Sequence, residues 1–135
     1  MASDTPAAVA HLGAEGFAVT IDVHGHTVRA DEPADLGGLN TGPDPFALLY
    51  ASLSSCILIT LRMYADRKQW PLRGADVRLF PTRRPAGPVE RIDIELALVG
   101  EELTDAHRER LLDIAGKCPV HRSLEGTVEI DKTLV

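Results

Sequence analysis

The spacing of hydrophobic and polar positions changes several times along the chain, and each change marks an element. Phe17-Ala-Val-Thr-Ile-Asp-Val23 alternates apolar with small or polar residues and predicts a strand. His24-Gly25 turns the chain, and His26–Ala30 predicts the returning strand of a hairpin. Asp31–Pro43, dense in Gly, Pro, Asp and Asn, predicts a loop. From Asp44 to Lys68 the pattern differs in kind. Asp44 suits a helix N-cap, and Pro45 suits the first helical position, where a missing N–H costs nothing. Residues from there to Tyr64 are almost all apolar or small, and the cations Arg67 and Lys68 fall in the last turn, at the negative end of the helix dipole. A helix with no clean polar face is predicted to be buried on most sides. At 1.5 Å per residue it runs roughly 36 Å, long for the core of so short a chain. A second chain is therefore expected to help bury it.

Trp70-Pro71 ends this helix, because proline disfavours helical geometry in the residue before it. Ala75–Arg83 alternates and predicts a strand, Arg84–Pro88 a turn, and Val89–Val99 the clearest period-two strand of all. Thr104 caps a predicted helix over Asp105–Gly116, with Leu111, Leu112, Ile114 and Ala115 as its apolar stripe. Cys118-Pro119 opens a short turn or helix to about Leu124, and Thr127–Leu134 predicts a last strand. Residues 1–15 are weakly patterned, a ragged start or an edge strand. The order is strand, strand, helix, strand, strand, helix, strand. That predicts one α+β domain over residues 1–135, with antiparallel sheets and two helices on one face.

Composition narrows the function. The 135 residues carry a net charge of −6, which disfavours nucleic-acid and anionic-membrane partners. The first ten residues hold an acid and no base and lack a continuous apolar core, so no signal peptide is expected. Asp44, Ser52, Ser54, Ser55, Thr60 and Arg62 interrupt the long helix, and no membrane span is expected there. The expected location is the cytoplasm. In a reducing compartment two cysteines are more often reactive, or simply buried, than a permanent staple.

Those cysteines are the main chemical candidates. Cys56 lies inside the apolar helix, stacked at helical spacing with Leu49, Leu53, Thr60 and Met63, where a small core residue is the ordinary reading. Cys118 precedes Pro119 at a helix start, where the dipole, Lys117, His121 and Arg122 favour a thiolate. That setting leaves a reactive and an inert thiol equally open. Should the two sulfurs meet, one can attack an electrophile and the other resolve the product as a disulfide. His24 and His26 share one strand face, but the spacing is that of a solvated turn rather than a metal site. No metal and no bound cofactor are expected.

At these residues the sequence resembles the OsmC/Ohr family, the osmotically induced and organic hydroperoxide resistance proteins. The resemblance runs over about residues 16–134. It rests on Asp31-Glu32-Pro33, Gly37-Gly38, Thr41-Gly42-Pro43-Asp44-Pro45, Ser55-Cys56, the run Leu61–Leu72, and Lys117-Cys118-Pro119-Val120-His121-Arg122-Ser123-Leu124. It looks most like the OsmC-like branch. The resemblance implies an α+β fold, an intertwined homodimer with its central helices packed together, and thiol-dependent peroxidase activity in antioxidant stress defence. Cys56 would be peroxidatic, attacking the O–O bond and becoming a sulfenic acid. Cys118 would resolve it as an intramolecular disulfide, and an external lipoyl-type dithiol would reduce that disulfide.

The chain departs from the family pattern in two places. Members use a glutamate near the start of the central helix and an arginine from an early segment. Here the glutamate position reads Phe46 or Ala47, and no arginine precedes Arg29. Arg29, Asp31 and Glu32 are the auxiliary candidates, with Phe46, Ala47 and Leu53 lining the pocket. The alternative function is a non-catalytic or weakly redox-active protein that binds a small apolar ligand in that pocket.

Overall fold

A computed structural model describes residues 4–135, so residues 1–3 of the ragged N-terminal segment lie outside it. The chain forms two compact units, one ending at Tyr50 and one beginning at Ala51.

The first unit is a three-stranded antiparallel sheet in the order β1-β2-β3 (Val9–Leu12, Val19–Val23, His26–Ala30). The weakly patterned start thus contains an edge strand. The β2–β3 hairpin forms because His24 and Gly25 both take positive φ, +51° and +84°, which matches the strand twist. Both strands run in register from Val23↔His26 to Val19↔Ala30. The loop that follows is organised by Asp31, whose carboxylate accepts from the N–H groups of Glu32 (2.7 Å), Leu39 (3.3 Å) and Thr41 (3.1 Å), and from Thr41 Oγ1 (2.7 Å). The loop closes tightly: a Cβ on Gly38 would stand 1.9 Å from the Glu32 carbonyl oxygen.

Helix α1 spans Pro45–Lys68, with Asp44 Oδ1 accepting from Ala47 N–H at 2.7 Å as the cap. Its beginning belongs to the first unit and the rest to the second. Only one stripe of it is buried, Leu53, Ile57, Leu61 and Ala65, each one turn from the next. Burial on most sides is therefore not what one chain achieves: Ile59 and Met63, on other faces, are 54% and 67% exposed. By length and composition α1 meets the measure of a membrane-crossing helix, despite its polar interruptions. Core helices meet that measure as well, and the α1 stripe is packed in a core.

In the second unit β4 (Gly74–Arg83) and β5 (Val89–Val99) form an antiparallel pair, with a register shift at Thr82/Arg83. Alternation places Val77, Leu79, Ile92, Ile94, Leu96 and Leu98 against the core, and the intervening charged residues outward. The core joins the α1 stripe to Leu72, Leu103 and residues of α2 (Asp105–Ala115). Ile57, Leu61 and Leu111 are wholly enclosed, each worth about 1.5–3 kcal/mol of burial. Helix α2 is capped reciprocally. Thr104 Oγ1 accepts from His107 N–H at 3.1 Å, and His107 Nδ1 accepts from Thr104 N–H at 3.2 Å. Leu112, counted above in the apolar stripe, is instead 63% exposed, because it falls on the outer side of α2 from Leu111, Ile114 and Ala115.

The short turn or helix expected from Cys118-Pro119 is a helix, α3, over Pro119–Glu125. One further expectation needs correction. The strand expected over Thr127–Leu134 is absent. Its alternation supplies two faces, but a strand also needs a ladder partner, and Val128 and Ile130 stay exposed.

Candidate active site

Local rules bring the cysteines to their places. Helix α2 stops at Gly116, whose N–H bonds the Asp113 and Ile114 carbonyls, and Lys117 N–H bonds the Ile114 carbonyl as well. The next residue, Cys118, is extended (φ −65°, ψ 143°) and serves as N-cap of α3, with Pro119 in the first turn. Its sulfur accepts the His121 N–H at 3.3 Å. Cys118 is fully enclosed in the core of the second unit, and Cys56, reaching it from the middle of α1, is half-buried against the same core. Cys56 lies near enough to Cys118 to push its thiol up, and the two are not bonded.

Burial pushes the Cys118 thiol up, the neighbouring Cys56 thiol pushes it further, and the His121 and Val120 N–H groups only partly oppose this. The thiolate anticipated at this helix start is thus disfavoured in the resting protein. Two of the nearby cations face carboxylates: Lys117 Nζ lies 3.5 Å from Asp113 Oδ2, and His121 Nδ1 lies 2.7 Å from Glu125 Oε1, an ion pair when the imidazole is protonated. The arrangement offers one reachable thiol, one sheltered thiol, and a path to a disulfide by loss of two electrons.

The other candidates divide between the units. Leu53 is buried in the core that holds both cysteines. Arg29, exposed on β3, Asp31, Glu32, Phe46 and Ala47 all belong to the first unit. Asp31 is 3% exposed and committed to its loop, and its hydrogen bonds, that from the Thr41 hydroxyl foremost, hold its carboxyl below the usual range. Glu32 gives its N–H to Asp31. Phe46 and Ala47 are half-buried in the first turn of α1, Phe46 with its ring 6.4 Å from that of Tyr50. His24 and His26 are exposed at the hairpin turn, and no group of three potential metal ligands occurs among the described residues.

Sequence reasoning missed one cluster in the second unit. Arg110 Nε donates to Tyr64 Oη at 3.0 Å; Trp70 meets the Tyr64 ring edge-on at 5.4 Å and stacks on His107 at 4.4 Å. The only local signal was a Lys/Arg pair just before the tryptophan, since Arg110 lies far along the chain.

A family model described as OsmC-like protein matches residues 38–132. Among curated proteins, none matches the sequence. Solved structures share the fold. An osmotic stress induced and detoxification response protein from Psychrobacter arcticus has 19% identity and a TM-score of 0.77, over 90% of this chain and 89% of that one. An OsmC-like protein from Mycoplasma pneumoniae has 20% identity and a TM-score of 0.75, over 92% and 90%. An organic hydroperoxide resistance protein from Legionella pneumophila has 21% identity and a TM-score of 0.63, over 93% of each.

Proposed function

The chain belongs to the OsmC family, and from that premise we propose that it is a cytoplasmic thiol peroxidase of peroxide-stress defence, reducing organic hydroperoxides or hydrogen peroxide. The observation that carries this is the meeting, at one core, of a half-buried Cys56 and a fully buried Cys118, both free. The name of the Legionella neighbour supports the choice of peroxide as oxidant. The reachable thiol of Cys56 attacks as thiolate on one oxygen of ROOH. The O–O bond breaks, the alkoxide leaves and takes a proton as ROH, and Cys56 becomes a sulfenic acid. Cys118 then gives up its proton and attacks that sulfur. The S–O bond breaks, water leaves, and a disulfide remains. Keeping Cys118 protonated in the resting state suits this second role, since it does not compete for peroxide. An external dithiol, of lipoyl type by family resemblance, reopens the bond. A homodimer is proposed too, since it would cover the bare Ile59 and Met63 face of α1.

The test is peroxide consumption coupled to a dithiol. Cys56→Ser abolishes it, and reduced protein given one equivalent of cumene hydroperoxide loses two thiols per chain. Unchanged turnover in the variant overturns the proposal. The second reading, a binder of a small apolar ligand, is favoured by Phe46 and Ala47 standing where an acid is expected. It predicts slow thiol loss in the same titration.

A further inference from the structure

We propose that the cationic surface around Tyr64 docks an acidic segment of the protein that returns electrons to Cys56 and Cys118. This rests on the redox reading above. The chain has two cysteines, so once they are bonded to each other no thiol of its own remains to reopen the bond. The donor must be external, and in this proposal it is a dithiol. Its thiolate attacks one sulfur and displaces the other as thiolate, giving a mixed disulfide. Its second thiol then closes the donor disulfide and releases the remaining cysteine. Two electrons pass to the chain, and the donor's two protons end on Cys56 and Cys118.

Three cations converge on the Tyr64 ring: Arg67 at 5.3 Å, Lys68 at 5.8 Å and Arg110 at 5.6 Å. Their combined field, with the Arg110 hydrogen bond first, lowers the Tyr64 phenol below its ordinary range. Arg67 and Lys68 have no carboxylate partner among the described residues, whereas Arg62, Arg78, Arg84 and Arg91 each do. Asp113 is shared between Arg110 (2.6 Å) and Lys117 (3.5 Å), and Asp66 is engaged by Arg62 (3.5 Å). Among the groups these contacts join, Arg67, Lys68, Arg110 and Lys117 face a single carboxylate, Asp113, on a chain whose net charge is −6.

The position of this surface gives it a purpose. Tyr64, Arg110, Asp113 and Lys117 form a continuous run of contacts, and Lys117 directly precedes Cys118. A partner held along this run reaches the residue next in the chain to Cys118. Trp70, packed between Tyr64 and His107, stiffens the shelf. Several cations on a half-exposed aromatic shelf match side-chain carboxylates spaced along a peptide, and such complementarity raises encounter rates 10- to 1,000-fold.

Two reduced peptides separate the outcomes: Glu-Glu-Cys-Gly-Gly-Cys-Glu-Glu and its counterpart with every Glu replaced by Gln. At low ionic strength the acidic peptide is expected to reduce oxidised protein about tenfold faster, and to lose that advantage in roughly 0.5 M salt. Arg67→Glu with Lys68→Glu abolishes the advantage, and Arg67→Gln with Lys68→Gln reduces it. Rates with uncharged dithiothreitol and with peroxide stay unchanged. Equal rates for the two peptides, or an advantage that survives charge reversal, overturn the proposal.

Binding is read separately on reduced protein, with the cysteines of the acidic peptide replaced by serine. Trp70, the single tryptophan, reports it by fluorescence. The expected result is saturable binding weakened about tenfold by the Glu variant. No saturation, equal displacement by inorganic phosphate, or occupation of the surface by a second copy of the chain overturns it. Binding without thiol loss to peroxide sinks the redox reading alone; thiol loss without binding sinks the docking surface alone.

Discussion

The backbone N–H of His121 donates to Cys118 Sγ across 3.3 Å, and the thiol nonetheless stays above its ordinary range. The N–H groups of His121 and Val120 at a short helix start do not offset enclosure in an apolar core and a second thiol alongside.

Alkylation should show this. In Cys56→Ser, the rate of Cys118 modification by iodoacetamide should rise with pH and reach its midpoint above about 8.5, the free thiol value. The raised folded value favours the neutral thiol. Its contribution to stability is thus complete below that unfolded value and lost as pH climbs through the folded one. A midpoint at or below 8.5 contradicts the burial account.

Asp31 titrates in the opposite sense. Its folded value is depressed, so its contribution is present above about pH 3.9 and lost as pH falls through the folded value. Asp31→Asn should lower Tm at neutral pH, since one amide cannot accept from all four donors. The gap from the parent should narrow as pH drops below 4. A constant gap in thermal melts from pH 7 to pH 3 would show that charge plays no part.

Core and surface leucines of α2 should differ sharply. Leu111→Ala removes a wholly enclosed side chain and should cost about 2–5 kcal/mol. Leu112→Ala, exposed on the same helix, should stay within about 0.5 kcal/mol. Urea titration checks both, and similar costs would mean that a partner covers Leu112.

The proposed homodimer makes its own prediction. Ile59→Lys with Met63→Lys should convert a sedimenting dimer into a monomer while preserving helical circular dichroism. A double variant that sediments as its parent does removes these residues from the interface.

How much the sequence disclosed depended on the range of the interactions involved. Strand β3, helix α1 and strand β5 were legible to the residue, because local period, cap and proline agree there. The two cysteines were legible as candidates through their motifs. The direction of the Cys118 shift was not, because it is set by what folds over the sulfur rather than by Pro119 beside it. Thr127–Leu134 misled because alternation describes faces and says nothing of a neighbouring strand. The Tyr64–Arg110 bond joins residues 46 positions apart, and no window on the sequence contains both. His107 escaped notice as a cap because an imidazole fills the place where Glu or Gln is usual.

Gly38 has a consequence for comparing natural variants. With the Glu32 oxygen 1.9 Å from where any methyl would sit, this position tolerates no side chain unless the turn around it is rebuilt. A homologue bearing alanine or larger there should also show a changed length or composition between its counterparts of Asp31 and Thr41. That single column thus sorts chains that inherit this loop from chains that merely share the surrounding architecture.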